Sequence, residues 1–311
     1  MTNPGGIYGV DFATAPNYES KHYWQTKIPG WNEDEYVVDR TFYESKDGTK
    51  VPMFAVRQKH VLPSLDIKPE KPIPTLIYVY GGFGESMDLS FSQSRNVWMK
   101  NYGGMYVLAA IRGGGEYGEE WHQQGTKEKR QHVFDDLAYC AKHLQANGYT
   151  TPAFTAINGG SNGGTVVLAT ANQHPELFGA VVSDVPVADM LRFQKFTVGS
   201  AWVPEYGSSE DPAGFEYLYA YSPVHTVKRA AYPAVLVTTA DHDDRVVPLH
   251  AYKFVAALQG TAGDVPGQSP LLLSIEKNGG HSGGASMAQA IDERARMYGF
   301  LAKVMKLSWA D

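Results

Sequence analysis

Residues 154–168 read Phe-Thr-Ala-Ile-Asn-Gly-Gly-Ser-Asn-Gly-Gly-Thr-Val-Val-Leu, and this stretch decides the fold. An apolar run rich in strand formers ends at Asn158, and apolar residues then return at helical spacing to about residue 173. Ser161 lies in the glycine cluster between them. The pattern therefore predicts a strand, a sharp turn and a helix around Gly-X-Ser-X-Gly, the arrangement called a nucleophile elbow. Gly159 and Gly163 fit because a Cβ at either position would collide with the neighbouring strand or helix.

Short apolar runs alternate with helical patterns along the rest of the chain. Further runs typical of buried strands occupy residues 75–80, 105–111, 179–183, 234–240 and 270–275. Helical spacing is found over residues 130–147, after Pro248 and over residues 285–306. An Asp-Gly turn at residues 47–48 joins strand patterns at 37–43 and 51–56 into a hairpin. This alternation predicts an α/β fold with a mostly parallel sheet covered by helices on both faces.

Two segments stand apart from the alternation. Residues 1–35 carry only a short strand pattern at 7–12 and are expected to form an N-terminal appendage, with residues 36–311 as the main domain. Residues 186–232 are irregular, with helical pieces around Met190 and over 215–221. Such an insertion is expected to cover a site at the edge of the sheet.

Composition excludes several classes of function. The chain has 311 residues, a net charge of −6 and 43% hydrophobic residues, which suits a globular enzyme and gives no sign of nucleic acid or an anionic membrane as partner. Its single cysteine, Cys140, precludes an internal disulfide. No run reaches the length of a membrane span, and the N-terminus lacks a signal-peptide pattern, so the cytoplasm is the expected location.

No cofactor is indicated by the sequence. Zinc spacing, a phosphate loop and a dinucleotide fingerprint are all missing from the pattern. The three glycines at 113–115 stand without the rest of any such motif and are interpreted as a structural turn. We therefore expect neither a metal nor an organic cofactor.

An activated serine needs a base, and the base needs an orienting carboxylate. Among the ten histidines, His281 follows the last strand pattern in a glycine-rich loop, which is where the base of an elbow fold is expected. His242 is the one rival, because it lies among acids. The acid itself stays open at this point: Asp241, Asp243 and Asp244 share one loop after a strand, and pattern alone does not choose between them.

Acyl transfer also needs two donors for a developing oxyanion. The backbone N–H of Asn162, which follows the nucleophile, is expected to supply one. The second should come from the loop after the strand at 75–80. A backbone N–H of Gly81 or Gly82 and the hydroxyl of Tyr80 are the candidates.

Taken together, the sequence resembles the catalytic domain of the prolyl oligopeptidase family. The matching stretches, in family order, are Ser45–Met53, Tyr80–Phe83, Arg112–Gly118, Gly159–Gly164, Thr239–Leu249 and Gly280–His281. The resemblance covers about residues 36–309 and implies an α/β-hydrolase fold. It also implies a serine peptidase that cleaves short peptides after proline through an acyl-enzyme. Asn162 favours the prolyl enzymes over the related oligopeptidase B group.

The resemblance also implies a role for each site residue. Ser161 would be the nucleophile, Asp243 the acid and His281 the base, with the Tyr80 hydroxyl and the Asn162 N–H as oxyanion donors. Arg245 would bind a backbone carbonyl of the peptide. The proline pocket would be formed by Trp202 stacking on the ring and by Phe83, Val187, Val198, Tyr206 and Val246 as its walls. A proline ring has no N–H and offers only apolar faces, so such walls could select it; without the resemblance, these valines and Phe83 would be interpreted as ordinary core.

The sequence departs from the family in two ways. The family carries a β-propeller ahead of the catalytic domain, and residues 4–35 resemble only its last strand and the linker that follows. A propeller-less form or an isolated catalytic domain is therefore expected, with self-association through the surface that the propeller would cover. His281 is also followed by Ser282-Gly283-Gly284 where the family usually has Gly-Ala-Gly, so the loop of the base is expected to be set differently.

Three alternatives to hydrolysis after proline remain open from the sequence. A peptide macrocyclase would use the same triad and replace water by an amine in the second step. An esterase would accept small esters in an open cleft. A catalytically weak scaffold or interaction domain would keep the triad residues without assembling them.

Overall fold

A computed structural model of the chain describes residues 2–281 and 286–310. Within these residues the ten strands are β1 Gly6–Val10, β2 Ser20–Gln25, β3 Tyr36–Glu44, β4 Lys50–Gln58, β5 Thr75–Tyr78, β6 Met105–Ala109, β7 Thr155–Gly160, β8 Ala180–Asp184, β9 Ala234–Ala240 and β10 Leu271–Glu276. The α-helices are α1 Gln93–Asn101, α2 Glu119–Gln123, α3 Gln131–Ala146, α4 Asn162–Gln173, α5 Val203–Tyr206, α6 Pro212–Tyr221, α7 Leu249–Ala262 and α8 Met287–Met305. No helix in this part of the chain is long and apolar enough to cross a membrane.

Eight strands form one twisted sheet in the order β10-β9-β8-β7-β5-β6-β4-β3. The six strands from β10 to β6 are parallel, and β4 and β3 add an antiparallel hairpin at one edge. β1 and β2 pair only with each other in a separate antiparallel hairpin. The carboxyl ends of β5, β7, β8, β9 and β10 therefore meet at one edge, where ligands of open α/β sheets bind.

Helices cover both faces of the central strands, as the alternation along β9 illustrates. Val235 and Val237 pack into a cluster with α3, α4 and α7, whereas Leu236 between them packs into a second cluster with α1 and α8. Because successive side chains of a strand point to opposite faces, the two clusters lie on either side of the sheet. The predicted α/β-hydrolase architecture, a mostly parallel sheet between helices, is confirmed.

Several predicted elements needed correction. The helical piece expected around Met190 is wrong, because the N–H of Met190 bonds to the Ser222 hydroxyl at 3.0 Å and the first helical turn begins at Phe193. α1 was not predicted, since its apolar residues form a single block within a polar run. α8 begins at a capping box made by Ser286 and Gln289, and residue 285 lies outside the described residues.

A buried ion pair ties the edge hairpin to the rest of the sheet. Arg112, which follows β6, is 3% exposed and donates from Nε at 2.9 Å to Asp136 of α3, whose side chain is fully buried. Its Nη1 reaches Asp47 in the β3–β4 turn at 2.6 Å. The backbone N–H of Arg112 also bonds to Asp136, at 3.0 Å. One guanidinium therefore connects three segments that are distant in sequence.

The contacts of Arg112 predict that removing its two carboxylate partners, Asp136 and Asp47, lowers the free energy of unfolding by different amounts. Asp136→Ala leaves a buried guanidinium largely uncompensated and should lower the free energy of unfolding by about 3–5 kcal/mol. Asp47→Ala removes a 41% exposed partner and should cost no more than about 1 kcal/mol. Urea unfolding followed by fluorescence compares the two variants with the unmodified chain, and equal losses would contradict this description of the pair.

Candidate active site

The turn between β7 and α4 holds Ser161 in a strained backbone conformation. Ser161 has φ 55° and ψ −118°, in the positive-φ half of the Ramachandran map that non-glycine residues rarely adopt. A Cβ on Gly159 would lie 2.4 Å from the carbonyl oxygen of Gly163, and one on Gly163 would lie 2.5 Å from that of Val79. Glycine at position 159 therefore lets β7 approach α4 closely enough to form the sharp turn, and glycine at position 163 lets α4 pack against the residue after β5.

Three side chains from three loops form one hydrogen-bonded chain at this turn. The Ser161 hydroxyl lies 3.0 Å from His281 Nε2, and His281 Nδ1 lies 2.8 Å from Asp243 Oδ2. The other oxygen of Asp243 accepts the backbone N–H groups of Arg245 at 3.0 Å and Val246 at 2.8 Å, so the carboxylate is anchored on both sides. The structure thus brings together the serine, base and acid that the sequence analysis names.

The rival residues in the same loop are occupied elsewhere. His242 is exposed and lies 2.7 Å from Asp241, its neighbour in the chain. Asp241 also accepts the backbone N–H of Asn278 at 2.7 Å, and that bond joins the loops after β9 and β10. Asp244 is exposed. Of the three acids, Asp243 is the one in contact with His281.

Asn162 joins the turn to the loop after β5. It is the first residue of α4, where a backbone N–H has no partner within the helix. Its side-chain amide donates to the Tyr80 carbonyl at 2.6 Å. A Cβ on Gly82 would lie 2.5 Å from the same amide nitrogen, so the loop passes directly against Asn162. Burial, followed by the nearby charge of Glu85, raises the pKa of Tyr80 and keeps its hydroxyl protonated at neutral pH.

Aromatic side chains are grouped beside the turn. Phe83 and Tyr206 meet edge to face at 5.5 Å between ring centroids, and Phe193 stacks on Trp202 at 6.4 Å. Phe193 also meets Tyr206 edge to face at 5.2 Å. The sequence analysis missed Phe193, which is fully buried and lies in the irregular segment where no periodicity marks it.

The remaining predicted pocket residues differ in exposure. Val187 and Val246 are buried, and Val187 is tied to α4 because its carbonyl accepts the Thr165 hydroxyl at 2.8 Å. Val198 is 48% exposed, and Arg245 is exposed next to Asp243. The two buried valines belong to the same hydrophobic cluster as Phe193 and Tyr206, whereas Val198 and Arg245 are accessible.

A buried polar network supports the turn and the aromatic group from behind. Arg130 is 1% exposed, and its guanidinium donates to the Asn162 side-chain oxygen and, at 3.1 Å, to Glu205. The Tyr206 hydroxyl donates to the same Asn162 oxygen at 2.9 Å. Glu205 also lies 2.7 Å from His122 Nε2. Sequence reasoning missed the contacts of Arg130, Glu205 and His122, because no local pattern connects residues so far apart in the chain.

A cleft of about 590 Å³ opens alongside Ser161, Tyr80 and His281. The side chains of Asp184 and Glu293 also line this cleft. Burial raises the pKa of Glu293.

Within residues 2–281 and 286–310 no group of three His, Cys, Asp or Glu side chains is arranged to hold a metal ion. The predicted difference at Ser282-Gly283-Gly284 lies outside the described residues.

Comparisons with known proteins agree with this architecture. The model of the prolyl oligopeptidase family matches residues 89–308. The chain belongs to the prolyl oligopeptidase family. It is 42% identical to prolyl oligopeptidase A of Galerina marginata over 313 aligned positions, covering 100% of this chain and 41% of that protein. It is 43% identical to a prolyl endopeptidase of Elizabethkingia miricola, covering 91% of this chain and 39% of that protein.

A solved structure of another family member superimposes on the whole chain. Prolyl oligopeptidase B from Galerina marginata, bound to a 35mer hydrolysis and macrocyclization substrate, matches with a TM-score of 0.93 and 38% identity. The match covers 100% of this chain and 42% of that one. The chain thus spans about two fifths of the length of the family members to which it is compared.

The anchored carboxylate predicts that the reactivity of Ser161 depends on Asp243. Asp243→Asn should slow covalent labelling of Ser161 by a fluorophosphonate by about 10³-fold or more, because the amide favours the wrong His281 tautomer. Asp244→Asn, a matched change at an exposed position in the same loop, should label within about twofold of the unmodified chain. Mass spectrometry of the labelled peptide gives both rates, and a similar loss in the two variants would contradict the prediction.

Proposed function

We propose that this chain is the catalytic part of a serine peptidase that cleaves short peptides on the carboxyl side of proline. The observation that carries the proposal is the unbroken chain from Ser161 Oγ through His281, at 3.0 Å, to Asp243, at 2.8 Å, beside a group of aromatic rings. Membership of the prolyl oligopeptidase family supports the same chemistry. Residues 36–311 form the catalytic domain in this proposal, and residues 1–35 form its N-terminal appendage.

The first half of the reaction forms an acyl-enzyme. Ser161 Oγ attacks the prolyl carbonyl carbon while His281 Nε2 takes the hydroxyl proton, and Asp243 stabilises the imidazolium that results. The Asn162 N–H and the Tyr80 hydroxyl donate to the oxyanion of the tetrahedral intermediate. The intermediate collapses when the C–N bond breaks, and His281 passes its proton to the departing amine.

The second half releases the peptide. His281 takes a proton from water, the resulting hydroxide attacks the ester carbonyl, and Ser161 leaves with its proton restored. An amine in place of water would give a new peptide bond, and this macrocyclase reaction is the second candidate. It is favoured by the likeness to a family member whose structure contains a hydrolysis and macrocyclization substrate.

Specificity in this proposal comes from shape. Trp202 stacks on the proline ring, and Phe83, Val187, Val198, Tyr206 and Val246 surround it. The ring presents no hydrogen-bond donor, so close apolar contact is what can distinguish it from other side chains. Arg245, exposed beside the acid, would bind a backbone carbonyl of the peptide.

We further propose a cytoplasmic location and self-association. One buried cysteine suits a reducing compartment.

The β1–β2 hairpin exposes large apolar side chains, among them Phe12 at 79%, Tyr23 at 70% and Trp24 at 56%. Exposed apolar patches of this kind mark surfaces that associate.

Cleavage of a blocked Gly-Pro amide by the purified chain tests the proposed activity. Turnover should fall by about 10⁶-fold or to background in Ser161→Ala, since the nucleophile is lost. A matched Gly-Ala amide should react about 100-fold more slowly if apolar contact with the ring selects the substrate. Hydrolysis of a nitrophenyl ester without cleavage of either amide would favour an esterase. Cyclic products from a longer proline peptide, identified by mass, would favour the macrocyclase.

Sedimentation velocity over a range of concentrations tests self-association. The unmodified chain should form dimers or larger species as its concentration rises. A variant with Phe12→Ser and Trp24→Ser should shift toward the monomer, because it removes two of the most exposed apolar side chains of the hairpin. Monodisperse monomers of the unmodified chain at high concentration would refute the proposal.

A further inference from the structure

The carboxylate of Glu205 is buried among donors from three distant segments. Its side chain is 5% exposed. Oε1 accepts the backbone N–H of Phe83 at 2.9 Å and Arg130 Nη1 at 3.1 Å, and Oε2 lies 2.7 Å from His122 Nε2. These donors come from the loop after β5, the residue before α3, and α2. Glu205 itself belongs to α5 within the irregular insertion of residues 186–232, which we call the cap segment, so its charge connects four parts of the chain.

Two of these contacts fix rings of the aromatic group. Phe83 has φ 58°, a left-handed conformation that a non-glycine residue adopts only when its surroundings impose it. Its N–H is held by Glu205, and the residue after Glu205 is Tyr206, against whose ring Phe83 packs at 5.5 Å. The Arg130 guanidinium lies over the Tyr206 ring at 5.0 Å. The Glu205 carboxylate therefore fixes the position of Phe83 relative to Tyr206, through the backbone of Phe83 and through Arg130.

We infer that Glu205 is a positioning residue that holds the Phe83 and Tyr206 walls at the spacing a proline ring requires. This inference rests on the proposed function, since it assigns the ring to that pocket. An apolar ring is recognised by contact alone, and dispersion contacts weaken sharply when a gap of even half an ångström opens. Loss of the Glu205 charge should therefore weaken substrate binding while the reacting groups stay in place.

The substitution Glu205→Gln tests the positioning role separately from an effect on overall stability. A glutamine side chain has the same shape but only one acceptor oxygen, so it cannot accept on both sides as the carboxylate does. The groups facing His122 are Glu205 on Nε2, Glu119 at 3.3 Å on Nδ1, and Arg130 through their shared carboxylate. Burial alone would lower the pKa of His122, but its hydrogen bonds and ion pairs with Glu205 and Glu119 raise it. In the variant the Glu205 charge is lost and Glu119 remains beside His122. The charge of His122 therefore decides whether the amide at position 205 can satisfy all of its neighbours.

The pH dependence follows from counting donors in the variant. When His122 is protonated, both ring nitrogens donate, and either orientation of the amide sets donors against each other. With its oxygen toward His122, the NH₂ faces the Phe83 N–H and Arg130; with its oxygen toward Phe83 and Arg130, the NH₂ faces the Nε2–H of His122. The pocket loosens in both cases. When His122 is neutral, Nε2 accepts from the amide NH₂, and the amide oxygen again serves Phe83 and Arg130. The variant should be impaired at acidic pH and recover at alkaline pH.

The test compares Glu205→Gln with Glu210→Gln, an exposed glutamate five residues further along the cap segment. KM for the blocked Gly-Pro amide should rise about tenfold in Glu205→Gln at about pH 5.5 and return to within about twofold at about pH 9. Ester hydrolysis should change less than about threefold at either pH, because the bonds of Asn162 to Tyr206 and Tyr80 remain. Glu210→Gln should match the unmodified chain throughout.

Equal KM values for Glu205→Gln and Glu210→Gln at both pH values would overturn the inference. So would an equal loss on amide and ester at every pH, which indicates a structural role only. If the unmodified chain cleaves no Gly-Pro amide, the proposed function fails, and hydrogen exchange still decides the positioning role. In that case the amides of residues 81–85 should exchange at least about tenfold faster in Glu205→Gln than in Glu210→Gln at about pH 5.5, and equal exchange would refute it.

Discussion

The close approach of β7 and α4 is the constraint on which the rest of the site depends. The missing Cβ of Gly159 lets the strand end and the helix begin within a few ångströms of each other, and that of Gly163 lets the start of the helix pack against Val79 after β5. Ser161 must then adopt φ 55°, which points its hydroxyl away from the turn and leaves the first N–H groups of α4 free. A side chain at position 159 would push strand and helix apart and relax the serine, and one at position 163 would push α4 away from the end of β5.

The order of the strands brings the partners of this turn together. β8, β9 and β10 follow β7 across the sheet, so the loops after β9 and β10, which carry Asp243 and His281, open at the same edge as Ser161. The bond between Asp241 and the Asn278 N–H joins these two loops. On the other side of β7, β5 delivers Tyr80 next to Asn162. A parallel sheet thus collects groups that lie up to 201 residues apart in the chain, from Tyr80 to His281.

The polar network behind the turn gives the cap segment a fixed position. The side chains of Arg130 and Glu205 are nearly inaccessible to solvent. A buried charge without a partner would cost stability, so each of the two depends on the other to stay paired. Asn162 lies at the centre, because it contacts the loop after β5, the cap segment and α3 through one amide side chain. Asn162 therefore links the turn that carries Ser161 to the segment that carries Tyr206.

Local pattern determined the elements of this protein, and tertiary contacts determined their partners. Short-range periodicity and glycine spacing predict the types of strand and helix, the elbow around Ser161 and the location of His281. These features depend on neighbouring residues in the chain, so a local pattern is enough to predict them. The choice among the three acids did not follow, because it depends on which side chain faces His281 across two loops. The bonds from Arg130 to Asn162 and from Glu205 to Phe83 were equally hidden, since they join residues that are 32 and 122 positions apart in the chain. The packing of Phe193 was hidden as well, because it lies in a segment without periodicity.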